Sequence, residues 1–127
     1  MRIAINALCI RANRVLLLRK KETWILPGGK PEPGEDDLTC LARENSEELP
    51  DSVFRIGELY GEYSGDTPHS QTELTASVYF AEVEGSITPS AEINEACFFS
   101  REEFDQLTIS EITKKILDST VETGHLS

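Results

Sequence analysis

Three prolines and three glycines fall within the eight residues Pro27-Gly28-Gly29-Lys30-Pro31-Glu32-Pro33-Gly34, and no regular element tolerates that much punctuation. This stretch must be a shaped loop, and it divides the chain. From about Glu35 to Leu49 the apolar spacing becomes helical, acidic residues crowd the first turn where the helix dipole favours them, and Pro50 ends the run. Before the loop, residues 3–10 and 14–19 read as strands around the polar break Arg11-Ala12-Asn13, followed by a short extended piece at Trp24-Ile25-Leu26. After the helix, strands are expected at about 53–62 and 73–83. In the second of these, Leu74, Ala76, Val78 and Phe80 share one face. The segment between them, with Gly65, Asp66, Pro68 and Ser70, reads as a loop. A strand at Ala96-Cys97-Phe98-Phe99 leads into Ser100-Arg101-Glu102-Glu103, a capping box that starts a helix near 101. A last helix is expected over about 110–122, with a frayed tail at 124–127. Strands and helices interleave without repeat or linker, so the 127 residues form one α/β or α+β domain spanning 1–127.

The formal net charge of −11 opposes binding to long nucleic acid, whose phosphates demand a basic surface. A small polyanionic substrate remains compatible if a divalent cation held by carboxylates stands between it and the protein. The three cysteines, Cys9, Cys40 and Cys97, are odd in number and lack metal-ligand spacing, which supports neither a disulfide framework nor a zinc site. With no signal peptide visible and no apolar run near the roughly 18 residues of a membrane span, the expectation is a cytoplasmic protein without a membrane partner. Its oligomeric state is not legible.

On a helical wheel with Glu44 at zero, Glu47 falls at about 300° and Glu48 at about 40°, so three carboxylates share one arc. Leu38, Leu41, Ala42 and Leu49 form an adjoining apolar stripe. Carboxylates packed this closely raise one another's pKa unless a cation neutralises them, the behaviour of a magnesium or manganese site. Arg43, four residues before Glu47, can pair with it. A bare acidic helix face would show the same three residues, so their context decides.

That context runs from Gly29 through Glu35, six positions on, to Arg43-Glu44 and Glu47-Glu48. It resembles the Nudix box, whose pattern is G, five residues, E, seven residues, R-E, an apolar residue, any residue, E-E, any residue, G and an apolar residue. Six such fixed positions coincide by chance on the order of once in ten million windows. The box here covers about 29–51 and departs from the pattern at three scaffold positions: Asn45 and Asp51 stand at apolar sites and Pro50 at the glycine. Asn45 falls inside the apolar stripe, so if buried it needs hydrogen-bond partners or costs about 1–3 kcal/mol. Pro50 cannot supply a positive φ, so the chain must leave the helix by a different turn.

The resemblance implies a Nudix fold, a mixed β-sheet in an α/β/α sandwich. It also implies a Mg²⁺- or Mn²⁺-dependent pyrophosphohydrolase acting on a small nucleotide. By it, Glu44, Glu47 and Glu48 would be metal ligands, joined by the Gly28 carbonyl, with Glu35 as an auxiliary carboxylate and Arg43 orienting them. The general base would be Glu48, or Glu92 or Glu95 in the later segment Ser90-Ala91-Glu92-Ile93-Asn94-Glu95. Tyr60, Tyr63, His69 and Phe80 are the residues able to stack on or bond a base, although strand aromatics more often serve packing. The first expectation is a MutT-like enzyme releasing a nucleoside monophosphate from a triphosphate or modified nucleotide. The others are a hydrolase of ADP-ribose or a nucleotide sugar, and a silent module that binds a nucleotide or partner without turnover. Retention of every box carboxylate favours catalysis.

Overall fold

The computed structural model describes residues 2–67 and 70–127. Strands β1 (Arg2–Leu8), β2 (Ile10–Arg11), β3 (Arg14–Lys20), β4 (Thr23–Ile25) and β5 (Gly28–Gly29) precede helix α1 (Asp37–Glu48). Strands β6 (Ser52–Thr67), β7 (Ser70–Gly85) and β8 (Glu95–Phe99), a 3₁₀ helix (Arg101–Gln106) and helix α2 (Glu111–Glu122) complete the chain. One sheet has the order β5-β1-β7-β6 and is mixed, with β1 parallel to β7 and its other pairs antiparallel. In the second, β3 pairs antiparallel with β2, β4 and β8.

Val15, Leu16, Leu17 and Leu18 on β3 are all fully buried, which only a strand covered on both faces achieves. Leu16 and Leu18 join Ile5, Ala7, Ala81 and Val83 beneath Cys40 and Leu41 of α1 and Leu49 at its C-cap. Val15 and Leu17 join Leu8, Ala76 and Val78 beneath Ile116 and Leu117 of α2. Because side chains alternate along a strand, the two helices cover opposite faces, giving the expected α/β/α layering. Each fully buried Leu contributes about 1.5–3 kcal/mol of transfer free energy.

Local chemistry sets the boundaries. Asp36 caps α1 by accepting from the Thr39 N–H at 2.8 Å, and Ser110 caps α2 by accepting from the Thr113 N–H. Ala12 and Asn13 both take positive φ in the β2–β3 turn, as a two-residue hairpin loop requires. β1 itself lies in the other sheet, so the hairpin joins β2 to β3 and not the two long strands expected on either side of residues 11–13.

Three expectations are corrected. Most of the loop expected between 62 and 73 is strand, because β6 and β7 remain paired out to Thr67 and Ser70. The capping box at Ser100 is present, yet it opens a 3₁₀ helix of six residues. The tail is not frayed: Leu126 is buried in the α2-side core, and the Ser127 N–H donates to Asn13 Oδ1 at 2.9 Å.

Candidate active site

The Pro/Gly-rich loop enters the sheet edge as β5, where Gly28 and Gly29 pair with Asn6 and Ile5 of β1. Gly28 has φ +129°, and a Cβ there would run into the backbone of Ile5 and Asn6, so glycine is required by both conformation and space. A Cβ on Gly29 would stand 2.5 Å from Glu44 Oε1. The missing side chains let α1 lay its carboxylates directly against β5. Glu48 Oε1 accepts the Gly28 N–H at 3.0 Å, and Cys40 Sγ reaches the Gly29 carbonyl at 3.7 Å.

Arg43 organises the remaining acids. Its Nε and Nη2 donate to both oxygens of Glu35 at 2.8 and 3.0 Å, a bidentate pair, and Nη2 also reaches the Lys30 carbonyl at 3.0 Å. Its Nη1 donates to Glu44 at 3.0 Å and stands 3.4 Å from Glu47. Glu35 accepts the Glu32 N–H as well, and these contacts, that of Arg43 foremost, bring its pKa down to about 2. The same partners raise the pKa of Arg43.

Burial acts oppositely on the acids facing β5. The pKa of Glu44 is raised by desolvation, against the pull of Arg43. Glu48, 8% exposed, is pushed up to about 8, first by desolvation and further by the charges of Glu44 and Glu47, against the Gly28 N–H and Lys20. Among the described residues no three His, Cys, Asp or Glu side chains stand together closely enough to enclose an ion as they lie, and the Arg43 guanidinium bridges Glu44 and Glu47. The donor chemistry nonetheless fits a hard divalent cation: the groups are all carboxylates, and Glu44 and Glu48 carry charge at a cost that a cation would relieve.

The later acids lie beside this helix. The segment between β7 and β8 crosses the end of α1, where the Ser90 N–H donates to the Glu48 carbonyl at 2.9 Å. Glu92 pairs with Lys20 at 2.7 Å and its pKa is lowered by it, while Glu95 pairs with Arg19 at 3.0 Å. Lys20 thus connects Glu92 with the field at Glu48, a role the sequence alone did not suggest.

The aromatic candidates are not brought to the carboxylates. Tyr60 and Phe80 pack edge to face at 5.1 Å on the α2 side, and Tyr60 Oη meets Ser119 Oγ at 3.0 Å. Tyr63 Oη meets the same hydroxyl at 2.7 Å. His69 lies outside the described residues. The tyrosine packed on the α1 side among the described residues is Tyr79, whose hydroxyl donates to Asp37 in the first turn of α1, which pushes its pKa up to about 12. Its position between Val78 and Phe80, on the opposite parity, was the signal available in the sequence.

A fold of two sheets between two helices, with a box helix seated on a Gly-Gly edge, defines a class, and the Nudix domain sequence model matches residues 1–119. The chain belongs to the Nudix family of pyrophosphohydrolases. Its fold is similar to that of the E. coli ORF135 protein (TM-score 0.80, 22% identity, 96% of this chain and 89% of that one). It is similar also to a MutT Nudix hydrolase from Burkholderia pseudomallei (0.81, 23%, 92% and 95%) and to the MutT protein from Methanosarcina mazei Go1 (0.81, 24%, 97% and 94%). No curated protein sequence matches the chain. No helix among the described residues is long and apolar enough to cross a membrane.

Proposed function

We propose that this Nudix hydrolase is a MutT-like nucleotide pyrophosphohydrolase that uses Mg²⁺ or Mn²⁺ and releases a nucleoside monophosphate from a nucleoside triphosphate or modified nucleotide. The observation that carries the reading is the seating of Glu44 and Glu48 against Gly28-Gly29, two carboxyls whose pKa values burial raises and whose ionised forms call for a cation. Glu44, Glu47 and Glu48, with the Gly28 carbonyl, would hold it. When bound, the cation supplies Lewis acidity, making water a better nucleophile and absorbing charge on the phosphate oxygens.

The chain's own residues have separate tasks in this reading. Arg43, pinned by Glu35 and the Lys30 carbonyl, fixes the rotamers of Glu44 and Glu47. Lys20 balances negative charge near Glu48 and holds Glu92, in the ionised form that can accept a proton, beside the box helix, and by this placement Glu92 is preferred over Glu95 as the group that takes the proton from the attacking water. The test is release of phosphate or pyrophosphate across nucleoside triphosphates, oxidised nucleotides, ADP-ribose, a nucleotide sugar and dinucleotides, with and without Mg²⁺ or Mn²⁺. Metal-dependent turnover of triphosphates or oxidised nucleotides that collapses in Glu47→Gln and Glu48→Gln is expected. Preferential turnover of ADP-ribose or the nucleotide sugar would move the substrate to that class, and an inert panel with intact nucleotide binding would refute catalysis.

A further inference from the structure

The three scaffold departures in the box, Asn45, Pro50 and Asp51, fall in the last turn of α1 and just past it, and there the structure holds a buried polar cluster. Asn45 is 7% exposed and Ser52 5%. Asn45 Nδ2 donates to Ser52 Oγ at 3.1 Å and approaches the Leu49 carbonyl at 3.5 Å, while Asn45 Oδ1 accepts the Phe54 N–H at 3.2 Å. Ser52 donates to the Leu49 carbonyl through both Oγ and N–H, each at 3.0 Å. That carbonyl, left without an intrahelical partner at a helix end, is thereby satisfied. No buried side-chain nitrogen or oxygen among the described residues lacks a partner.

The chain accordingly leaves the helix through Leu49 at φ −136°, with no positive φ and no need of glycine, and Pro50 follows. In a box of the usual pattern, glycine would make this turn by backbone freedom alone. Here side-chain hydrogen bonds hold the last turn against the start of β6. Glu48 sits in that turn, its carbonyl fixed by the Ser90 N–H and its carboxylate by the Gly28 N–H, and Glu44 immediately precedes Asn45.

We infer that Asn45 and Ser52 are positioning residues, a hydrogen-bonded replacement for the glycine exit that holds the last turn of α1 so that Glu44 and Glu48 stay seated against Gly29 and Gly28, where they would bind a divalent cation. This rests on the proposed role of the box carboxylates as metal ligands. Removing a direct partner of a metal ligand typically costs about 10- to 100-fold in affinity, and Asn45 and Ser52, which act through the backbone of the ligands' helix turn, belong at the low end of that range. Asn45→Leu restores the apolar box residue but strands the Phe54 N–H, and Ser52→Ala removes the link to Leu49.

The test is Mn²⁺ binding to the folded protein by calorimetry, read beside the thermal midpoint, for the wild type, Asn45→Leu, Ser52→Ala, the double variant, Asn45→Leu with Pro50→Gly, and Glu48→Gln. Expected is a loss of Mn²⁺ affinity of about tenfold in each single variant below its unfolding transition, with little further loss in the double variant. Recovery to within about threefold of wild type is expected when Pro50→Gly accompanies Asn45→Leu, because glycine reopens the alternative exit. If Ser52→Ala, and Asn45→Leu below its unfolding transition, bind Mn²⁺ as the wild type does and differ only in thermal midpoint, the positioning role is overturned. That result counts when Glu48→Gln still abolishes binding. If Glu48→Gln binds Mn²⁺ normally, the metal-ligand reading fails and the positioning role falls with it.

Discussion

Glu48 makes the metal-free protein a sensor of its own carboxylate burial, and Glu48→Gln isolates the effect. A carboxyl whose pKa rises from 4.5 when unfolded to about 8 when folded makes the native state hold more protons than the unfolded state between those values. Stability therefore falls as pH rises from about 4.5 to about 8, and levels off above that. The full shift corresponds to roughly 5 kcal/mol between the two protonation states, a large share of the 5–15 kcal/mol typical of a domain. Partial hydration and local relaxation bring the expected loss to about 2–4 kcal/mol. Trp24, buried and the single tryptophan, reports unfolding by fluorescence, so urea titrations in EDTA from pH 5 to pH 8.5 measure the curve directly. Gln at position 48 still offers an oxygen to the Gly28 N–H but has no charge to bury. The variant should match the wild type at pH 5 and exceed it by the stated amount at pH 8.5, retaining only the shallower slope of Glu44, whose pKa is raised for the same reason. Parallel wild-type and variant profiles would refute the reasoning, as they would mean that Glu48 is solvated in the native ensemble.

Glycine substitutions at adjacent positions should separate fold from site. Gly28→Ala, which meets backbone at a positive φ, is expected to lose at least about 3 kcal/mol and most soluble expression, whereas Gly29→Ala, which meets only the Glu44 side chain, should stay folded by circular dichroism while turnover falls about 10- to 100-fold. Arg43→Lys keeps the charge but cannot span Glu35, Glu44 and the Lys30 carbonyl together, so an activity loss approaching that of Arg43→Ala is expected; activity near wild type would refute the rotamer-fixing role. Among the later acids, Glu92→Gln should lower kcat by about 10²-fold and flatten the acid limb of the pH–rate profile, with Glu95→Gln within about threefold of wild type; the reverse order would transfer the proton-accepting role to Glu95.

The box was legible because its chemistry is local. Gly28-Gly29 and the three helix carboxylates lie within one loop and one 12-residue helix, and helical geometry alone puts Glu44, Glu47 and Glu48 on one arc. Strand existence and the face shared by Ala76, Val78 and Phe80 followed from period-two alternation in the same way. Period two says which residues share a face without saying which helix covers it. Phe80 therefore stood as a candidate for the substrate although α2 covers it, and Tyr79, one residue away, passed unremarked although it touches the first turn of α1. Lys20 was silent for a related reason: its pairing with Glu92 spans 72 positions, and the antiparallel pairing of β8 with β3, which sets Glu95 opposite Arg19, brings the two together. Asn45 is the instructive case between these limits. Its place in the apolar stripe required buried hydrogen-bond partners, and the requirement was correct. The partners, Ser52 and the Phe54 N–H, could be assigned only once the chain was seen to turn straight from the helix into β6. A polar residue at an apolar box position thus reads as a compensation for Pro50 and not as decay of the motif, since Glu44 and Glu48 keep their seats against Gly29 and Gly28.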